Sequence, residues 1–128
     1  INYEKEIIII NSYGKASNYL SLCNRVFIGK SLIKKLQYVG GQNPIEAAKL
    51  GCKIYSGPYV YNFQEIYELL KENDISEIIN SENELSNKLS IDFKTNNKEK
   101  DTKIKRINDL GDKILLETHS EINKILIK

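Results

Sequence analysis

The chain reads as an α/β protein, a Rossmann-like parallel sheet of about four short strands flanked by helices. Three observations predict this. Short apolar runs alternate with stretches of helical periodicity from Ile7 to Leu89. The first run, Ile7-Ile8-Ile9-Ile10, is β-branched throughout and does not alternate, as a strand covered on both faces requires. Three later helices open with asparagine or serine followed three residues on by glutamate, the pattern of a capping box.

The elements follow in order. After the first strand, Asn11-Ser12-Tyr13-Gly14 makes a turn, and Ala16, Tyr19, Leu20 and Cys23 mark a short helix. Arg25 to Gly29 is the second strand, and a long loop leads to Gly40-Gly41. A helix starts at Pro44, with Asn43 as N-cap and Glu46 placed for a capping box, and stops at Gly51. Lys53 to Ser56 is the third strand, closed by Gly57-Pro58. Asn62 to Glu65 opens a helix whose apolar face is Phe63, Ile66, Leu69 and Leu70. A fourth strand is expected at Glu77 to Asn80, and Ser81 to Glu84 opens a helix through Leu85 and Leu89. These elements make residues 1–93 one Rossmann-like unit. Residues 94–101 are polar and without periodicity, an exposed linker. Residues 102–128 form an amphipathic helix, with Ile104, Ile107, Ile114, Leu115, Ile122 and Ile125 on the stripe expected to pack on the same domain.

Composition narrows the function classes. With 128 residues, 41% hydrophobic and 28% charged, the chain is one domain or part of one. A net charge of +2 gives no case for nucleic acid. Cys23 and Cys52 have no metal-ligand spacing and read as buried, reduced thiols of a cytosolic protein. His119 is the only histidine, which argues against a metal site or a Ser-His-Asp triad within this chain. No apolar run approaches the roughly 20 residues that cross a bilayer.

The segment Tyr38-Val39-Gly40-Gly41-Gln42-Asn43-Pro44-Ile45-Glu46 bears two readings. It is a well-made loop-to-helix junction, the commoner case. A glycine-rich turn entering a helix N-terminus is also how α/β proteins receive phosphate on backbone N–H groups.

Taken together, the motifs resemble the C-terminal, donor-binding domain of 3-deoxy-D-manno-octulosonic acid (Kdo) transferases, bacterial lipopolysaccharide enzymes of GT-B architecture. Asn11-Ser12-Tyr13-Gly14-Lys15 stands where the family has D-T-x-G-E, and Val26 to Leu32 matches A-F-V-G-G-S-L. Gly40 to Glu46 matches G-G-H-N-P-L-E, and Gly57-Pro58 with Asn62-Phe63 matches G-P-x-x-x-N-F. The four motifs are in register between residues 7 and about 70. The resemblance implies that this domain binds CMP-Kdo at the C-terminal ends of the strands. It implies contacts from Tyr13, Gly14, Lys15, Gly41, Gln42, Asn43, Pro44, Ile45 and Glu46, with Glu46 accepting from the ribose hydroxyls or, alternatively, closing its own capping box. It implies no cofactor and no metal. The acceptor, a lipid A precursor, would be met by an N-terminal domain that this chain lacks, and so would the catalytic carboxylate of an inverting displacement. No catalytic residue is therefore expected here, and the chain is expected to be inactive alone. The implied place is the cytoplasm, at the cytoplasmic face of the bacterial inner membrane.

The sequence departs from the family pattern at Lys15, which stands for a glutamate, and at Gln42, which stands for a histidine. The loop from Ile33 to Val39 is longer and carries Lys34 and Lys35. Two other readings stay open: a stand-alone oligomerisation module without nucleotide binding, and the donor domain of another GT-B transferase. In any of these readings, half a doubly wound sheet leaves an open strand edge that invites a homodimer.

Overall fold

The structure is a computed structural model that describes residues 7–92 and 99–127. Most of the expected 94–101 linker lies outside the described residues. Three strands form the sheet: β1 (Arg25–Ile28), β2 (Lys53–Ser56) and β3 (Ser76–Ile78). They run parallel in the order β1-β2-β3, with Val26 opposite Ile54 and Tyr55 opposite Glu77. Around them lie α1 (Ala16–Leu20), α2 (Ile45–Lys49), α3 (Gln64–Glu72), α4 (Glu82–Asp92) and α5 (Lys100–Leu126), with 3-10 turns at Lys34–Val39 and Tyr61–Phe63.

The expected count of four strands is corrected to three among the described residues. Ile7–Ile10 forms no strand, and Ile7 and Ile9 are 81% and 89% exposed. A β-branched run has the propensity for a strand, but a strand exists only in a ladder, and β1 pairs with β2 alone. The last strand begins at Ser76, one residue before the expected start, and the Ile79 N–H bonds the Ser56 carbonyl beyond its end.

The period of two divides the sheet sharply. Val26, Ile28, Ile54 and Ser76 face the core, where Ala47, Ala48, Cys52, Val60, Tyr67, Leu70 and Ile75 meet them. Each large apolar side chain removed from water here contributes about 1.5–3 kcal/mol. Two consecutive buried alanines let α2 lie close to β2, and Gly51 brings the chain against α5. A Cβ at Gly51 would stand 2.7 Å from the Lys100 side chain and 2.9 Å from Ile104. The opposite face carries Arg25, Phe27, Lys53, Tyr55 and Glu77.

Only the first part of α5 docks. Ile107 is buried and Ile104 and Leu110 are half-buried, whereas every described residue from Gly111 to Ile127 is exposed. The apolar stripe read from the sequence therefore continues past the domain it packs on.

Candidate functional site

The two glycines answer to geometry. Gly40 and Gly41 have φ of 77° and 74°, a conformation that costs other residues about 1–2 kcal/mol. A Cβ at Gly40 would stand 2.5 Å from the Asn62 amide nitrogen, and one at Gly41 would stand 3.2 Å from Val60. The loop is tied there by its neighbours. Asn62 donates its side-chain N–H to the Val39 carbonyl at 3.0 Å, and the Tyr61 hydroxyl donates to the Tyr38 carbonyl. Asn62, expected to cap a helix, instead anchors this turn, and α3 starts at Gln64 after a 3-10 turn.

The turn delivers the chain to α2. Asn43 Oδ1 accepts the Ile45 N–H at 2.9 Å, while Pro44 is buried at the helix boundary. The expected start is thus displaced by one residue, with Pro44 rather than Asn43 at the N-cap. Glu46 does not close a capping box with Asn43. Its carboxylate accepts the hydroxyl of Ser17 on α1, an exposed contact. The capping pattern is instead realised at α4, where the Glu84 N–H bonds Ser81 Oγ at 3.2 Å and its carboxylate accepts the Asn80 N–H at 2.7 Å.

The Ser17–Glu46 bond joins the two groups of residues that the sequence singles out. Lys15 holds the N-cap position of α1, two residues before Ser17, so the Tyr13–Lys15 turn lies at the same end of the molecule as Asn43–Glu46. Tyr13, Lys15, Gln42, Asn43 and Glu46 present exposed side chains, and Gly14 has open space where a Cβ would stand. Gly41 and Pro44 are buried beneath, and Ile45 is the first residue of α2. Tyr67 supports the turn from below, its hydroxyl donating to the Gln42 carbonyl at 3.0 Å. The sequence reading missed both Ser17 and Tyr67. Tyr67 lies on the inner side of α3 between Ile66 and Leu70, and a tyrosine in an apolar stripe was the available signal.

A second junction holds the C-terminal ends of β1 and β2 together. Ser31 is fully buried; its hydroxyl donates to the Ile28 carbonyl at 2.6 Å and accepts the Gly57 N–H at 2.9 Å. The Tyr59 N–H bonds the Ser31 carbonyl at 2.9 Å. A Cβ at Gly57 would stand 2.1 Å from the Ser31 carbonyl oxygen, so the Gly-Lys-Ser and Gly-Pro motifs are packing partners.

A cavity of about 570 Å³ lies at the other end of the strands, lined by Arg25, Lys53, Tyr55, Glu77, Lys88 and Asp92 among others. It holds none of the residues the sequence nominates. Its charges are mutually engaged: Arg25 pairs with Asp92 at 3.0 Å, and Glu77 bridges Lys53 and Lys88. Burial pushes the Asp92 carboxyl up, but the Tyr55 hydroxyl and Arg25 outweigh it and hold Asp92 below the ordinary value. Burial, then the Asp92 bond, raises the Tyr55 phenol well above its usual range. Among the described residues no cluster of three or more His, Cys, Asp or Glu side chains is placed to hold a metal ion.

No family model matches the chain. Over 126 residues it is 25% identical to the 3-deoxy-D-manno-octulosonic acid transferase of Haemophilus influenzae. The match takes in 98% of this chain and 27% of that protein, so the chain spans about a quarter of the relative's length. The two are distantly related.

Proposed function

We propose that the chain is the donor-site portion of a Kdo transferase, which adds Kdo to a lipid A precursor in lipopolysaccharide biosynthesis. The observation that carries this reading is the similarity to a transferase of that name along almost the whole chain. In this reading the nucleotide of CMP-Kdo lies over Gln42 to Glu46 at the C-terminal ends of the strands. Gly41 and Gly14 let backbone approach it, Tyr13 lines the base or ribose, and Lys15 meets the phosphate or the sugar carboxylate. Glu46 exchanges the Ser17 hydroxyl for the ribose hydroxyls, since one carboxylate accepts two O–H donors. Further polypeptide supplies the acceptor side and the catalytic carboxylate, and the whole works at the cytoplasmic face of the inner membrane. The geometry supports this reading by leaving Gln42 and Asn43 exposed, with Glu46 within reach of solvent, on a tethered turn.

The experiment is a titration of the full chain with CMP, followed by amide shifts. Shifts are expected at Gly14 and Asn43 to Glu46, weakened by Glu46→Ala. No shift at those amides at millimolar CMP rejects the reading. Competition with UDP separates this donor from that of another GT-B transferase. The exposed apolar half of α5 favours one alternative, an interaction module on the same fold, and a tight dimer without CMP affinity is its signature.

A further inference from the structure

Charge is unevenly spread in a way the donor reading does not use. Residues 7–45 contain Lys15, Arg25, Lys30, Lys34 and Lys35 and no Asp or Glu. Within this acid-free stretch the 3-10 turn Lys34–Val39 has no buried residue. Ile33, Tyr38 and Val39 are 57%, 82% and 44% exposed, and Lys34 and Lys35 are exposed beside them. Tyr61, itself 55% exposed, extends the apolar surface from the next loop.

The turn is nevertheless held in place. The Leu36 N–H bonds the Ile33 carbonyl at 2.8 Å, and Tyr61 and Asn62 fix the Tyr38 and Val39 carbonyls. A tethered loop that keeps an isoleucine, a valine and a tyrosine in water beside two lysines matches an interface with apolar depth and negative charge. Tyrosine suits such a boundary, because its ring prefers the apolar side and its hydroxyl the wet side. Another exposed apolar surface, on α5, alternates Asp112, Glu117 and Glu121 with Lys113 and Lys124, so it offers an anionic surface no net positive charge.

We infer that the loop Ile33–Val39, with Tyr61, seats this chain on an anionic lipid surface: Ile33, Tyr38 and Val39 enter the headgroup layer, and Lys34 and Lys35 pair with lipid phosphates. Each lysine near such a surface contributes roughly a fivefold gain in partition, and the gain falls with salt. The inference does not rest on the donor-site reading. The Lys34 and Lys35 side chains are outside the proposed CMP contacts, so the two fail separately.

The test floats the full chain with vesicles of phosphatidylcholine alone and with added phosphatidylglycerol. Partition onto the anionic vesicles only, falling with salt, is expected. The double variant Lys34→Gln, Lys35→Gln should bind roughly 25-fold more weakly and lose most of the salt dependence. Tyr38→Ser should weaken binding while keeping that dependence. Equal partition onto both vesicle types, no partition at all, or full binding by the double variant overturns the inference. So does loss of binding in Ile122→Ser, Ile125→Ser with the loop intact, which would assign the contact to α5. Displacement by inorganic phosphate beyond a chloride control of equal ionic strength also overturns it, because the lysines would then read a free phosphate. CMP shifts retained by a chain that ignores vesicles would sink this inference alone.

Discussion

Replacing Ser31 by alanine should cost far more than the loss of one surface hydroxyl. The side chain is 0% exposed and its oxygen serves two partners, donating to the Ile28 carbonyl and accepting the Gly57 N–H. Alanine leaves the Gly57 N–H buried without an acceptor, a penalty of about 1–3 kcal/mol, and removes a bond worth about 0.5–1.5 kcal/mol. The space left by one oxygen is too small for a water to enter and repair the loss. The expected total is about 1.5–4.5 kcal/mol. With a urea slope of about 2 kcal/mol per M for a chain of this size, the midpoint should fall by roughly 0.75–2.25 M with the slope unchanged. Urea unfolding followed by circular dichroism reads this directly, and faster exchange of the Gly57 amide should accompany it. A midpoint shift under about 0.25 M would show that the ends of β1 and β2 are not held by this hydroxyl.

Four other outcomes follow from the same structure. Lys30 has φ of 61°, in the left-handed region; Lys30→Gly should raise stability by about 0.5–1 kcal/mol in the same assay, after subtracting glycine's extra freedom in the unfolded chain. Gly57→Ala should prevent folding at about 25 °C, seen as loss of amide dispersion, because its Cβ would overlap the Ser31 carbonyl. Ser17→Ala should leave CMP binding equal or tighter, since it releases the Glu46 carboxylate, and weaker binding would place the hydroxyl in the site itself. Burial raises the Tyr67 phenol to about 12, and burial with the Asp92 bond raises Tyr55. These folded values lie above the unfolded one near about 10, so their stabilisation is complete below about pH 10 and is lost as pH rises through the folded values. Absorbance of tyrosinate should show Tyr55 and Tyr67, among the eight tyrosines, ionising late and together with alkaline unfolding.

Local patterns are legible wherever one segment carries the whole instruction. The Ser81–Glu84 box, the strand at Lys53–Ser56 and the glycine stop at Gly51 each depend on neighbours a few residues away, and each lies within a residue or two of its expected place. The same logic fails at Asn43–Glu46 and Asn62, where the capping residues are engaged by α1 and by the Gly40 turn. A polar side chain with a local and a distant partner bonds whichever the fold brings nearer, and sequence does not carry that distance.

The order of residues was enough to dictate the alternation of short apolar runs and helices, hence a parallel α/β sheet, and the turns at Gly40-Gly41 and Gly51 where positive φ is required. Which runs became strands was left to packing. Ile7–Ile10 has every propensity of a strand and lacks only a neighbour to bond, whereas the three-residue β3 has little apolar pattern and gains its ladder from β2. Packing likewise settled that Ser17 meets Glu46 and that α5 docks for its first turns alone, because both depend on which surfaces the assembled sheet leaves within reach.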